Sequence, residues 1–180
     1  NPATIVISGA PAPTGADNNT NFWSDSRYIA GMATAGASRY MDCVGVHYNA
    51  GATAPDQSWG HPADPGDRHY SWYFQPTFNL YAGAFPRTPL CFTEAGYLTS
   101  NGYGPLPQGF WWGGATTIEQ HAQWLGRAAS IARGTGRVRL FIVFNVDFDL
   151  YSDADPQAGY AILRPDGSCP ACGPLAQAVR

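Results

Sequence analysis

Glu94 is one of two glutamates in a chain of 180 residues. It stands in the run Thr88-Pro89-Leu90-Cys91-Phe92-Thr93-Glu94-Ala95-Gly96-Tyr97, an apolar stretch that breaks at Gly96 and reads as a buried strand carrying one carboxylate to its carboxyl end. Burying a carboxylate is costly unless something pairs with it or uses it, so Glu94 is either a site residue or a solvated loop glutamate. Two more apolar runs end in polar side chains: His47 and Tyr48 close one, and Asn145 and Asp147 stand at the end of another. A carboxylate among His, Tyr and Asn donors suits a site that holds sugar hydroxyls and stabilises an oxocarbenium-like transition state. Each residue also has a plainer role open to it. His47 can be a buried imidazole bonded to backbone, Tyr48 a core ring with a wet hydroxyl, Asn145 a partner of a loop carbonyl. Asp147 and Asp149 can be turn formers, and for Asp149 that role is the expected one. Trp111 and Trp112 serve either as a stacking platform or as the packing of a long loop.

Other polar residues contribute less. Thr116-Thr117-Ile118-Glu119 fits a capping box, which assigns Glu119 to a helix start rather than to a second reactive carboxylate. His121, on the same helix, is expected at the surface. His61, His69, Asp64 and Asp67 share one loop, but their spacing matches no metal-ligand pattern, and no metal is expected. No phosphate-binding glycine loop follows a strand, and the G-x-S-x-G elbow of serine hydrolases is absent. Cys169-Pro170-Ala171-Cys172 lacks a second ligand pair, leaving a local disulfide or two free thiols. If His47 and Glu94 face one way, period-two alternation turns Cys43 to that side and Cys91 to the other, which predicts no bridge between them.

Four strand-like runs must position these groups: residues 5–9, 41–48, 90–94 and 138–146. A loop at 10–15 leads to a helix that starts at Ser24 and runs through Met32; a long loop at 49–68 leads to a helix over 71–84, interrupted or kinked by Pro76. After the third run comes a long loop and a helix over 116–133, and after the fourth a polar loop at 147–156 and a short helix near 173–179. This β-loop-α repetition predicts a parallel sheet with helices outside it. Long loops after the strands and short returns such as Gly134-Thr135-Gly136-Arg137 have the polarity of a (β/α) barrel, with function on the long-loop side. Four such units make half a barrel, whose open edges and apolar inner face require a partner.

The bulk numbers agree with one globular domain: 44% apolar, 13% charged and 14% aromatic residues. A net charge of −3, without a single Lys, excludes a polyanion-binding surface, so nucleic acid is not an expected partner. No run approaches the ~20 apolar residues that span a membrane. The chain opens at Asn1-Pro2 and runs almost directly into an apolar stretch, which suggests a piece of something longer. Asn18-Asn19-Thr20 is a glycosylation sequon in a suitable host.

Taken together, the segments resemble the carboxyl-terminal half of a clan A glycoside hydrolase, the (β/α)8 retaining enzymes that include cellulases and β-xylosidases. The matching pieces are Val6-Ile7-Ser8-Gly9-Ala10-Pro11-Ala12-Pro13-Thr14-Gly15, Asp42-Cys43-Val44-Gly45-Val46-His47-Tyr48 and Pro89-Leu90-Cys91-Phe92-Thr93-Glu94-Ala95-Gly96. They continue with Phe141-Ile142-Val143-Phe144-Asn145-Val146-Asp147-Phe148 and Tyr160-Ala161-Ile162-Leu163-Arg164-Pro165-Asp166-Gly167. These are similar, in order and over nearly all of the chain, to strands five to eight and the terminal segment of that barrel.

The resemblance implies that residues 1–180 form a half (β/α)8 barrel of four parallel strands with outer helices, the C-terminal part of a longer catalytic domain. It implies a carbohydrate substrate with a β linkage, no cofactor, and Glu94 as the nucleophile of a retaining mechanism. His47 and Tyr48 would border the sugar subsite, and the end of the fourth strand would form its floor. The family often has Trp there, where this chain has Phe144. The family's acid/base glutamate follows an asparagine at the end of strand four, which would precede Asn1. A retaining mechanism needs two carboxylates ~5–5.5 Å apart, so the partner expected is an N-terminal half-barrel, from the same precursor or a second chain, or a second copy. Relatives directed at polysaccharides are commonly exported, which makes a secreted or extracytoplasmic location the expectation. The alternative is a half-barrel that binds carbohydrate, or assembles, without catalysis.

Overall fold

The structure, a computed structural model, describes residues 3–13, 15–18 and 20–180. The opening Asn1-Pro2, Thr14 of the first matched segment and Asn19 of the sequon lie outside the described residues.

Three strands form one parallel sheet in the order β1 (Val44–Gly51), β2 (Leu90–Tyr97), β3 (Val138–Val143). All three are rich in the β-branched and aromatic residues that fit a pleated, half-buried surface. Between and after them come the helices α1 (Asp25–Thr34), α2 (Phe74–Ala84), α3 (Ile118–Gly134) and α4 (Cys172–Ala178). Ser24 caps α1, its hydroxyl accepting from Arg27 N. Pro76 is the third residue of α2, among the first-turn positions whose N–H groups have no intrahelical partner, so the helix begins around it and is not interrupted. The core lies between sheet and helices: Val44, Val46, Tyr48, Leu90, Phe92, Ala95 and Tyr97 meet Ile29, Phe74, Tyr81, Leu125 and Ala128.

The expected four-stranded half-barrel is not what the chain forms. Its sheet has three strands, and the molecule is a small α/β domain. Residues 5–9 run beside β1 but make only an isolated parallel bridge, Ile7 to Cys43. Backbone bonds join Ser8 N to Cys43 O at 3.0 Å and Asp42 N to Val6 O at 2.8 Å, but two side chains take over the rest. Val6 N donates to Asp42 Oδ2 and Gly45 N to Ser8 Oγ, each at 2.9 Å. Pro11 and Pro13, with no N–H to donate, follow at once, so no ladder develops beyond the bridge.

The alternation argument against a Cys43–Cys91 bridge also fails, because β2 carries a bulge. Val46 pairs with Phe92 and the next residue, His47, pairs with Glu94, leaving Thr93 without a partner in the register. The extra residue reverses the parity of β2, so Phe92 and Ala95, three apart, both enter the core. Cys91, in register with Gly45, therefore shares the face of Cys43, and the two form a buried disulfide with Cα atoms 5.8 Å apart. A second disulfide joins Cys169 to Cys172 at the start of α4. Two disulfides suggest an oxidising, extracytoplasmic environment. Among the described residues no helix is long and apolar enough to cross a membrane.

Helix α3 starts one residue later than its sequence signature suggested. Thr117 is the cap, its hydroxyl accepting from Gln120 N at 3.1 Å while the Gln120 side chain accepts from Thr117 N at 2.9 Å. Thr116 is buried beneath it, its carbonyl accepting from Thr99 Oγ1. Glu119 is exposed in the first turn, where a negative charge favours the helix dipole. His121, expected at the surface, is 1% exposed. Its ring is covered by the segment after β3, with Nε2 3.3 Å from Tyr160 O. Gly126 lets α4 approach, since a Cβ there would lie 2.5 Å from Pro174 Cβ.

Candidate functional site

The β1–β2 register sets His47 beside Glu94 on the face opposite Val46 and Tyr48, in the middle of neighbouring strands that run on to Gly51 and Tyr97 instead of ending at these residues as expected. His47 Nε2 lies 3.6 Å from Glu94 Oε1, and both side chains are partly exposed. Asn49, two residues beyond His47 and so on the same face, donates from Nδ2 to Glu94 Oε2 at 2.6 Å, a short bond of the charge-assisted kind. Asn49 is held in turn by Tyr160, whose hydroxyl donates to the Asn49 carbonyl at 2.9 Å. Burial raises the Tyr160 phenol far above its ordinary range, which keeps it a neutral donor. Phe144 sets its ring edge-on to Tyr160 at a centroid distance of 5.5 Å, and Phe144 N donates to Ala95 O at 2.9 Å. The end of β3 is thereby drawn against the strand that carries Glu94.

The other expected site residues are placed elsewhere. Tyr48 alternates into the core, 1% exposed, with its hydroxyl on Trp72 O at 3.3 Å. Asn145 folds the loop after β3: its Nδ2 donates to Gln157 O at 2.9 Å and its Oδ1 accepts from Phe148 N at 3.0 Å. Asp147 is exposed and, with Asp149, Phe148, Tyr103 and Arg164, lines a cavity of about 170 Å³ that includes neither His47 nor Glu94. Trp112 packs with Leu98 and Tyr160 and lies 5.3 Å from the His61 ring, whereas Trp111 is 57% exposed.

His61 organises the loop after β1. Its Nε2 lies 2.9 Å from Ala50 O, its Nδ1 accepts from Ala63 N at 3.1 Å, and burial lowers its pKa. Asp64 accepts from Tyr73 Oη at 2.5 Å and from Gly66 N and Arg68 N. Among the described residues no group of three or more His, Cys, Asp or Glu side chains is placed to hold a metal ion.

The cluster is therefore Glu94, His47 and Asn49, backed by Tyr160 and Phe144. Asn49 was missed by the sequence reading, although the period-two step from His47 points to it. Tyr160, 111 residues from Asn49 in sequence, gives no local signal. Chemically, the arrangement offers a carboxylate with one oxygen held by an amide and the other beside an imidazole. Such a group can attack an electrophilic carbon or accept a proton. Comparison with protein families, curated proteins and solved structures finds no match for the chain.

Proposed function

We propose that this chain carries the nucleophile of a retaining glycoside hydrolase acting on β-linked saccharides or glycosides. The observation that supports the reading is the placement of Glu94: a partly exposed carboxylate on the sheet face turned away from the core, fixed by Asn49 and flanked by His47. In the first step a Glu94 oxygen attacks the anomeric carbon and the glycosidic C–O bond breaks. The electron pair stays on the leaving oxygen, which takes a proton from a general acid. In the second step water adds to the same carbon, passes a proton to the conjugate base, and releases Glu94.

The acid/base is a second carboxylate ~5–5.5 Å away. Glu119, the other glutamate, sits in the first turn of α3, and Asp147 and Asp149 line a separate cavity. The proposal therefore takes the acid/base from polypeptide outside these residues, in the same precursor or in a companion chain. The chemistry requires no cofactor, and the site of action is outside the cytoplasm.

A substrate with a good leaving group needs no acid, so the test uses dinitrophenyl 2-deoxy-2-fluoro-β-glycosides of the gluco, xylo, galacto and manno series. The expected result is one glycosyl unit on the peptide containing Glu94, by intact and peptide mass spectrometry, and no label on Glu94→Gln. Absence of label with all four probes sinks the assignment.

The exposed Trp59 and Trp111 favour a second reading, a module that binds saccharide without turning it over. It predicts equal saccharide affinity for wild type and Glu94→Gln, and turnover by neither.

A further inference from the structure

We infer that Asn49 is the positioning residue of Glu94, assigning Oε2 to a fixed role and leaving Oε1 as the oxygen that attacks; this rests on the glycosidase reading. The Asn49 amide can take only one orientation here. Its Nδ2 donates to Oε2 at 2.6 Å, and turning the amide over would set its carbonyl oxygen against the carboxylate. Its Oδ1 is buried, with no hydrogen-bond partner among the described residues, and lies 3.1 Å from where a Cβ on residue 96 would stand. The Tyr160 hydroxyl pins its backbone carbonyl. A buried acceptor left unpaired is a cost, and Asn49 bears it while bonding the Glu94 carboxylate.

The two oxygens of Glu94 are thereby unlike. Oε2 is engaged at 2.6 Å, while His47 Nε2 stands 3.6 Å from Oε1, beyond hydrogen-bond distance, leaving a lone pair of Oε1 for an incoming carbon. Attack forms the bond from Oε1 to the anomeric carbon as the aryl oxide departs with its electron pair. The Asn49 N–H stays on Oε2, which becomes the carbonyl oxygen of the glycosyl ester.

The test measures labelling kinetics of wild type, Asn49→Ala and Asn49→Asp with whichever dinitrophenyl fluoroglycoside labels wild type fastest. Asn49→Ala is expected to lower the limiting labelling rate by up to roughly 100-fold, as misplacement of a reacting group does, with the half-saturating probe concentration unchanged. Asn49→Asp keeps the shape but sets two carboxylates in contact to share a proton, so the acid limb of its rate–pH profile moves to higher pH. An Asn49→Ala variant with a wild-type limiting rate, or one whose loss lies wholly in half-saturation, overturns the role. If Asn49→Ala does not fold, the Asn49→Asp profile decides, and superposition on wild type overturns it. Wild type unlabelled by every probe is a different result: it removes the glycosidase reading, and the role of Asn49 with it.

Discussion

Gly96 follows the bulge of β2, and a side chain there has no room. A Cβ would stand 2.8 Å from Phe144 O, 2.9 Å from Tyr160 Cδ1 and 3.1 Å from Asn49 Oδ1. Two of the three atoms belong to Tyr160 and Asn49, which hold Glu94 in place, and the third is backbone. Gly96→Ala is therefore expected to cost about 1–3 kcal/mol in urea unfolding, the usual range for overpacking, and to slow labelling of Glu94; a variant unchanged in both would show that this packing is slack. His121 gives a second prediction, in pH. The ring is buried, with Nε2 on Tyr160 O at 3.3 Å and Nδ1 without a hydrogen-bond partner among the described residues, and burial holds its pKa at about 4 against an ordinary 6.5. The unfolded chain takes up the proton first as pH falls. The stabilisation is therefore complete above pH 6.5 and is lost progressively towards pH 4, by roughly 3 kcal/mol in all. His61, lowered by the same cause, pulls in the same direction. Urea midpoints taken between those limits should fall in wild type and fall less steeply in His121→Gln. Residue by residue, the site was partly legible. Strand-end position and polarity pointed to Glu94 and His47, and alternation alone would have added Asn49. Tyr160 is brought in by a long loop, and Asn145 is spent on folding that loop; neither fact is written in local spacing.

At the scale of elements, the bulge at Thr93 explains both a success and a failure. Three of the four expected strands and the helices of the described residues follow from apolar runs and caps, which are local signals. Which face Cys91 takes is not local, because one unpaired residue reverses every later side chain in β2. The Cys43–Cys91 bond closes a 48-residue span that includes α2 and the long loop after β1. Loop entropy puts its contribution at about 4 kcal/mol, whereas the Cys169–Cys172 bond spans only three residues, for which the same relation gives about 1.6 kcal/mol. Replacing Cys43 and Cys91 together by Ala should lower unfolding free energy by roughly twice the loss from the Cys169/Cys172 double variant. Equal losses would mean that the bridge contributes through the native state rather than through the unfolded chain. The first run, residues 5–9, shows the limit of reading strands from hydropathy. Its composition is that of a strand, but Asp42 and Ser8 side chains compete for the ladder positions and two prolines end it.

At the scale of the whole molecule, the named core lies between the sheet and its helices, and β3 is an open edge. Leu140 and Ile142 are 37% and 45% exposed, and Val146, Phe148 and Leu150 continue the exposed apolar series into the next loop. An edge strand with apolar side chains on its free face is a template for further pairing. A groove of about 560 Å³ between β3, α3 and α4, lined by Ala129, Leu140, Leu175 and Val179 among others, runs along the same border. Arg139 is the one charged side chain in β3, and a lone charge interrupts such an edge only locally. The chain should therefore associate as concentration rises from micromolar upward, the range in which exposed apolar edges find each other. Ile142→Lys places a charge on that edge without touching the named core. Sedimentation velocity should show an average mass that grows with concentration for wild type and stays at the monomer value for Ile142→Lys. A wild-type chain that stays monomeric throughout would mean that the edge is shielded by its own loops, and the exposed series after β3 would have to be explained by the fold itself.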